Sequence, residues 1–245
     1  MLVFAQIHLS PSQFCFILSV RGQRVKTTIN KQPKKTCSVP ALTIALLLVF
    51  FVGPITVNIA IADESIATAL GYSPSPVNTP LPKGVDSTTG FRMERYRRAV
   101  PTVNPGTETV STSRAIALHS TDKVIFIDVY PPRGLGHDPF DGTWQTNETH
   151  KHIEGSTWLP EVGRGHIEDE HVSYFRRNLQ LLTNNNRQAP LLFYCTSDCW
   201  QSWNAARRAL QWGYEIIFWY PDGTDGWQEE NRELVLAEPV NFFGE

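Results

Sequence analysis

The chain of 245 residues has an ordinary globular composition, with 41% hydrophobic and 19% charged residues, and is long enough for one domain behind an N-terminal extension. Its formal charge of −2 is unevenly distributed. Residues 1–62 carry six basic and no acidic side chains, so the remainder, with 16 basic and 24 acidic side chains, has a net charge of −8. An acidic body argues against nucleic acid as the partner, because phosphate recognition needs a basic surface.

The N-terminal region has the pattern of an export signal. A basic stretch, KQPKKTCSVP, precedes an uncharged apolar run over residues 41–62 that ends in AIA, the small-x-small pattern of a signal-peptidase site. We therefore predict an export segment over residues 1–62, cleavage after Ala62 and a periplasmic location. The apolar run is also long enough to span a bilayer. We expect a membrane association only if the segment stays uncleaved, and Pro54 within the run favours cleavage.

The next part of the chain leads into the fold. Residues 63–89 are rich in Ser, Thr, Pro and Gly and lack periodicity, which predicts a linker. The folded domain is predicted over residues 90–240. It begins with the aromatic and basic segment GFRMERYRRAVP, which we expect to pack along the domain edge. A helix with a Ser/Thr start is predicted over Ser111–His119.

Strands and helices then alternate. Apolar runs rich in β-branched and aromatic residues predict three buried strands, in KVIFIDVYP, PLLFY and EIIFWYPDG, and HIEGSTWLP is expected to be a short extended segment. Amphipathic helices are predicted over Glu168–Leu182 and from Cys199 to Gly213, with Gly213 as the C′ residue. TDGWQ is expected to turn away from the third strand. This alternation predicts a single α/β domain with a parallel sheet flanked by helices.

Two cysteines lie four positions apart where the second predicted strand meets a helix. Cys15 and Cys37 would leave with the export segment, so Cys195 and Cys199 would remain. In an open parallel sheet, functional residues collect at the carboxyl ends of the strands. A thiolate of Cys195 would also lie near the positive end of the following helix, which lowers a thiol pKa. These features favour Cys195 as a nucleophile, although the nearby Asp198 carboxylate would repel a thiolate.

Several segments together resemble a rhodanese (sulfurtransferase) domain. They are the strand VIFIDV, which ends at Asp128, the segment HIEGSTWLP, the strand LLFYC followed by a helix, and the closing WYPDGTDGW. More narrowly, FYCTSDCWQSWNAARRAL with WYPDGTDGW and GFRMERYR resembles the CxxxCW-motif rhodanese-like family associated with PQQ-dependent catabolism. The resemblance covers about residues 90–234 and implies a rhodanese-like fold for the domain.

The resemblance also implies a chemistry and a setting. Rhodaneses carry sulfur as a persulfide on the loop cysteine, which corresponds to Cys195. Cys195 and Cys199 are accordingly the candidate catalytic residues, and the candidate substrate-binding residues are Thr196, Ser197, Asp198, Trp200 and Trp227. The narrower family accompanies periplasmic quinoprotein alcohol oxidation, so a quinoprotein dehydrogenase or an associated component is the expected partner. PQQ itself is not expected as a bound cofactor.

The sequence departs from an active thiosulfate sulfurtransferase. Such loops usually end in an arginine that binds the anionic donor, whereas Trp200 stands at that place and Asp198 adds a negative charge. Arg207 and Arg208 lie two turns into the helix, too far along to reach a ligand in the loop. We therefore predict weak or no turnover of thiosulfate.

Four states of the cysteine pair remain open at this stage. The pair could cycle between dithiol and disulfide or trap a persulfide, it could form a permanent disulfide, it could stay as unpaired thiols, or it could bind a metal. A permanent disulfide across so short a loop would add only about 2 kcal/mol to the free energy of unfolding, which argues against a purely structural role. The nearby histidines lack zinc-finger spacing and are interpreted as exposed loop residues, with no metal expected; they are His150, His152, His166 and His171.

The function expected from these features is thiol–disulfide or sulfur-transfer chemistry that supports a periplasmic oxidation system. The alternative is a non-catalytic module that uses the same fold to bind a quinoprotein partner, a redox cofactor or a small ligand.

Overall fold

The computed structural model describes residues 66–134 and 136–244, so the predicted export segment lies outside the described residues. A five-stranded sheet has the order β1-β6-β5-β2-β4, and all of its neighbouring strands are parallel. A separate antiparallel pair joins β3 to β7. The strands are β1 (Glu108–Thr109), β2 (Ile125–Asp128), β3 (Lys151–His152), β4 (Thr157–Trp158), β5 (Leu191–Tyr194), β6 (Ile217–Tyr220) and β7 (Val235–Leu236). The helices are α1 (Thr112–His119), α2 (Asp169–Leu182), α3 (Trp200–Gln211) and α4 (Gly223–Glu229).

The three predicted buried strands form the centre of the sheet. Strand β5 lies between β2 and β6, and all four of its residues are buried. The register pairs Asp128 with Tyr194 and Tyr194 with Tyr220, so the three strands end at the same edge. The loops that follow them therefore meet, which is the usual place for a functional site in a parallel sheet.

Each face of the sheet has its own hydrophobic cluster, because successive side chains of a strand point to opposite faces. In the first cluster, on one face, Phe193 and Trp219 pack with residues of α2 and α3 such as Phe175 and Trp203. In the second cluster, on the other face, Leu192 and Phe218 pack with α1 and α4, and this cluster also contains Trp227. The predicted α/β architecture, with helices on both faces, is confirmed.

The helix boundaries agree with the sequence signals in two cases and differ in one. The side chain of Ser111 accepts a hydrogen bond from the Arg114 N–H at 3.3 Å and caps α1. Gly213 follows the end of α3 with φ +86°, which is the predicted C′ conformation. TDGWQ was expected to be a turn, but it lies in α4; the helix forms there because burial of Trp227, which is 4% exposed, stabilises it.

The described part of the predicted linker packs against the domain. Residues 66–69 are helical, and Leu70 is 5% exposed within the second hydrophobic cluster. Leu81 and Val85 pack against the first cluster. The domain boundary near residue 90 stays a prediction. Within residues 66–134 and 136–244, no helix is both long and apolar enough to cross a membrane.

Candidate functional site: the cysteine loop

The two cysteines form a disulfide at the end of the central strand. Cys195 directly follows β5, and Cys199 is the N-cap residue of α3. Their sulfur atoms are bonded, and their Cα atoms lie 6.3 Å apart. Cys195 is 0% exposed and Cys199 is 1% exposed, and both belong to the first hydrophobic cluster. The disulfide is therefore closed off from solvent.

The start of helix α4 supports one side of the cysteine loop, the chain between Cys195 and Cys199. The Cys195 carbonyl accepts a hydrogen bond from the Thr224 N–H at 2.9 Å, and Thr196 forms a β-bridge with Gly223. The Asp225 carboxylate accepts hydrogen bonds from both the N–H group of Ser197, at 3.0 Å, and its hydroxyl. The Asp225 carboxylate thus accepts the hydrogen bond from the Ser197 N–H. That N–H group is therefore not free to bind an external anion.

The aromatic and basic segment supports the other side of the loop. Main-chain hydrogen bonds join Arg98 N–H to the Asp198 carbonyl at 3.0 Å and Trp200 N–H to the Tyr96 carbonyl at 2.9 Å. The Arg97 guanidinium also donates to the Thr196 hydroxyl. We call residues 96–98 the cover segment, because they pair along the cysteine loop as a short strand would. Its sequence was expected to pack along the domain edge, and its contact with the cysteine loop was not foreseen.

The other predicted loop residues differ in their surroundings. The Thr196 hydroxyl lies 4.0 Å from the Cys195 sulfur. Asp198 has a left-handed backbone with φ +53°, and its side chain is exposed. A carboxylate that remains in solvent repels a buried sulfur only weakly, since water screens the charge.

The two tryptophans singled out from the sequence lie on opposite faces of the sheet. Trp200 is 4% exposed, donates from its indole N–H to the Ala99 carbonyl at 3.1 Å and packs against Trp203. Trp227 contacts His119 on the other face, with ring centroids 5.3 Å apart. The structure brings Trp200, but not Trp227, next to the cysteine pair in the first cluster. Their proposed substrate-binding role stays a prediction.

The arginines of α3 point away from the cysteine loop, as the sequence spacing indicated. Arg208 donates to the carbonyls of Val162, Arg164 and Gly165 at 2.9 to 3.0 Å. Burial lowers the pKa of its guanidinium to about 10, and the group stays a cation at neutral pH. Arg208 therefore holds the segment before α2 in place and cannot bind a ligand in the loop.

A buried Asp–His pair lies at the end of the neighbouring strand. Asp128 is 0% exposed, its Oδ1 accepts from the Tyr130 N–H at 2.8 Å, and its Oδ2 lies 2.6 Å from His150 Nε2. His150 and His152 are 9% and 7% exposed, so their assignment as exposed loop residues was wrong. The polar sequence context concealed this burial, because Asp128 is 22 residues away from His150 along the chain.

His150 lines a cavity of about 580 Å³ beside the β3–β7 pair. Within the described residues, no group of three or more His, Cys, Asp or Glu side chains is placed to hold a metal ion.

Replacing Asp225 with alanine is expected to loosen the cysteine loop. The Ser197 N–H and hydroxyl would both lose their acceptor, which costs about 1–2 kcal/mol of folding free energy for a charged acceptor. Reduction of the disulfide by dithiothreitol should become several-fold faster. The matched control is Glu229→Ala, which removes an exposed acid from the same helix. Equal reduction rates in the two variants would show that Asp225 does not hold the loop.

The sequence matches the family described as rhodanese-like domain over residues 111–230. The match begins at the N-cap of α1 and ends just after α4, so it includes the cysteine loop and most of the sheet. It lacks β1 and the antiparallel β7, and it also lacks the cover segment. No curated protein matches the sequence.

The solved structures that match this chain share little sequence with it. A protein of unknown function from Rhodopseudomonas palustris CGA009, described as a possible tyrosine phosphatase, is 21% identical over 54% of this chain and 87% of its own, with a TM-score of 0.36. The polysulfide-sulfur transferase homodimer of Wolinella succinogenes is 14% identical over 54% and 80%, with a TM-score of 0.34. An uncharacterized protein from Saccharomyces cerevisiae is 17% identical over 51% and 92%, with a TM-score of 0.34.

The family match and the observed architecture lead to the same assignment. The matched residues contain the parallel strands β2, β4, β5 and β6, with helices on both faces and the cysteine at the end of the central strand. Residues 111–230 therefore form a rhodanese-like domain.

Proposed function

We propose that Cys195 and Cys199 form a working thiol–disulfide couple in an exported rhodanese-like protein that supports periplasmic PQQ-dependent alcohol oxidation. The observation that supports the couple most directly is the bonded pair itself, at the strand–helix loop where a rhodanese-like domain carries its reactive sulfur. Placing the second cysteine at the N-cap of α3 puts it within reach of the first without any movement of the helix.

In the reduced protein, Cys195 acts as the attacking thiolate. It attacks one sulfur of a substrate disulfide, forms a mixed disulfide and releases a substrate thiolate. Cys199 then attacks the Cys195 sulfur, which frees the second substrate thiol and restores the Cys195–Cys199 bond. Two electrons pass from the pair to the substrate, and the substrate leaves as a dithiol. The start of α3 favours the thiolate form of the attacking cysteine.

Sulfur transfer from thiosulfate is less well supported by the structure than thiol–disulfide exchange. A persulfide on Cys195 needs the reduced loop and free backbone N–H groups around the sulfur. The Ser197 N–H is already bonded to Asp225, and the place of an anion-binding arginine is taken by the buried Trp200. We expect weak or no transfer of sulfur from thiosulfate to cyanide.

Access to the sulfurs depends on the cover segment. Because both cysteines are almost fully buried, a thiol reagent can reach them only after part of the surrounding structure moves, and we expect the cover segment, which is bonded along the loop, to be that part. Two main-chain hydrogen bonds and one side-chain bond join this segment to the loop, which is a small number to break locally. Exchange is therefore expected to be slower in the folded protein than at an exposed disulfide.

The couple is tested by measuring the reduction potential of the pair. Cys15→Ser and Cys37→Ser should be introduced together so that only Cys195 and Cys199 report. Equilibration with glutathione, followed by thiol alkylation and mass measurement, gives the potential. A working couple is expected between about −120 and −230 mV, whereas a value below about −300 mV would identify a structural disulfide and contradict the proposal.

A non-catalytic binding module is the second candidate function. Burial of both sulfur atoms favours it, because a permanent structural disulfide would be buried in the same way. The two candidates differ in a Cys195→Ser variant tested for its effect on alcohol oxidation in the producing cell. Loss of the effect supports the couple. Full retention with a normal unfolding midpoint leaves only the binding module.

The setting and the partner rest on the sequence. The basic and apolar N-terminal pattern supports export, and the CxxxCW and YPDGTDGW motifs support an association with a quinoprotein dehydrogenase or an associated component. Export predicts that osmotic shock of a Gram-negative host releases the protein with its N-terminus at Asp63. An intact N-terminus in the cytoplasmic fraction would contradict it.

A further inference from the structure

A second cavity lies beside the cysteine loop, between the cover segment and the chain that follows β2. Its volume is about 550 Å³, which suits an organic small molecule and exceeds the need of a single inorganic anion. Half of its lining residues are arginines: Arg95, Arg97, Arg98, Arg133 and Arg164. None of the described lining residues is acidic. We call this cavity the arginine pocket.

Carboxylates outside the pocket account for three of the five charges. The ion pairs are Arg95 with Glu94 at 3.8 Å, Arg133 with Glu148 at 4.0 Å, and Arg164 with Glu161. Among the described residues, no carboxylate lies within ion-pair distance of Arg97 or Arg98. The guanidinium of Arg97 donates instead to the neutral hydroxyl of Thr196. The pocket therefore carries at least two uncompensated positive charges.

The long Arg133 ion pair is also weak. Glu148 Oε1 accepts hydrogen bonds from the Tyr130 hydroxyl and from the Arg133 N–H, each at 2.9 Å. Its other oxygen is 4.0 Å from the Arg133 guanidinium, and that side chain is 88% exposed. An exposed pair at this distance contributes little, so the Arg133 guanidinium is available to a third anionic group.

We propose that the arginine pocket binds a small organic anion with at least two carboxylate or phosphate groups. The planar guanidinium groups of Arg97 and Arg98 would hold two of the anionic groups, since arginine matches both chemistries with paired N–H donors. This site goes beyond the proposed thiol–disulfide function, because binding there requires no exchange at the cysteine pair.

The test measures binding of two probes to the full chain by calorimetry at low salt. Citrate represents the hydroxy-polycarboxylates, and fructose 1,6-bisphosphate represents the phosphates. Saturable one-to-one binding of at least one probe is expected, and the tighter probe identifies the anionic group. Arg97→Gln combined with Arg98→Gln should weaken binding at least about tenfold, since each exposed ion pair contributes a modest amount.

Control variants separate a site from general charge attraction. Arg232→Gln removes the same charge from an exposed position outside the pocket and should leave affinity unchanged. Arg98→Gln combined with Arg133→Gln keeps the Arg97–Thr196 contact and should also weaken binding, with an unfolding midpoint equal to that of the wild type.

The outcomes that overturn the proposal are specific. One is that neither probe shows saturable binding, and the other is that Arg232→Gln weakens binding as much as the combined Arg97 and Arg98 replacement does. Either result means that the five arginines form no selective site. Because these measurements do not involve the sulfurs, they are unaffected by whether the disulfide proves to be structural.

Discussion

Replacing Gly223 with alanine is expected to destabilise the domain by about 3 kcal/mol and to distort the cysteine loop. Gly223 has φ +55°, a conformation that costs an L-residue about 1 kcal/mol or more. A Cβ atom there would lie 2.1 Å from the Cys195 carbonyl oxygen and 2.7 Å from its carbonyl carbon. Relieving such an overlap of a buried side chain with backbone adds about 1–3 kcal/mol.

The carbonyl of Cys195 cannot move away freely. It accepts the Thr224 N–H at 2.9 Å, and its residue is bonded to Cys199 on the other side of the loop. The overlap must therefore be relieved by shifting the start of α4 away from the loop. That shift would also remove Asp225 from Ser197, so the disulfide should become easier to reduce.

Gly213→Ala is the matched control for this effect. Gly213 also has a positive φ, +86°, but a Cβ there would have nothing within 4 Å. Its expected cost is about 1 kcal/mol, from backbone conformation alone. Urea unfolding of both variants gives the difference in free energy of unfolding. If the two variants are equally stable, the contact between Gly223 and the Cys195 carbonyl is not tight.

The central sheet and the two long helices could be predicted from the sequence because their signals are local. The runs VIFID, LLFY and IIFWY are apolar and β-branched or aromatic, so burial on both faces follows from composition. The boundaries of α3 follow from the strand that precedes it and from Gly213. The position of Cys195 at the end of the central strand was therefore predictable, and the structure confirms the rhodanese-like arrangement around it.

The surroundings of the cysteines could not be predicted, because contacts distant in sequence create them. The cover segment has no apolar periodicity, and its extended conformation depends on pairing with a loop about 100 residues later. Helix α4 contains two glycines and is seven residues long, so its sequence favours a turn. It forms because Trp227 is buried and the Thr224 N–H has a partner in Cys195.

The burial of the disulfide alters the balance between the states that the sequence left open. An exposed loop would have favoured a reactive pair, and metal binding would have required histidines nearby. Instead, the two cysteines are bonded, as in a redox couple, but they are also buried and held by hydrogen bonds on both sides of the loop, as a structural disulfide would be. Exchange with a partner requires the structure around the sulfurs to open, and the reduction potential measures the thermodynamic part of the difference between the two states.

Asp128→Ala is expected to cost about 3 kcal/mol of folding free energy. The buried carboxylate holds His150 Nε2 at 2.6 Å and the Tyr130 N–H at 2.8 Å, and removing it leaves both buried groups without a partner. A double-mutant cycle with His150→Ala should give a coupling energy of about 1 kcal/mol or more. The control is Asp141→Ala, which removes an exposed carboxylate and should change stability little. A cost of Asp128→Ala equal to that of the control would contradict a buried pair.

The same carboxylate also moderates the acid sensitivity that burial of His152 gives the domain. Burial lowers the pKa of His152 below its ordinary value of 6.5, and the negative charge of Asp128 partly offsets that effect. The unfolded chain therefore binds more protons below about pH 6.5, and stability must fall as the pH decreases through that range. In Asp128→Asn, the pKa of His152 should fall further and the acid loss should become steeper. Proton NMR titration of the His152 ring measures its pKa, and urea unfolding between pH 7 and pH 5 measures the loss of stability. A His152 pKa that is the same in Asp128→Asn as in the wild type would mean that the carboxylate does not act on this ring.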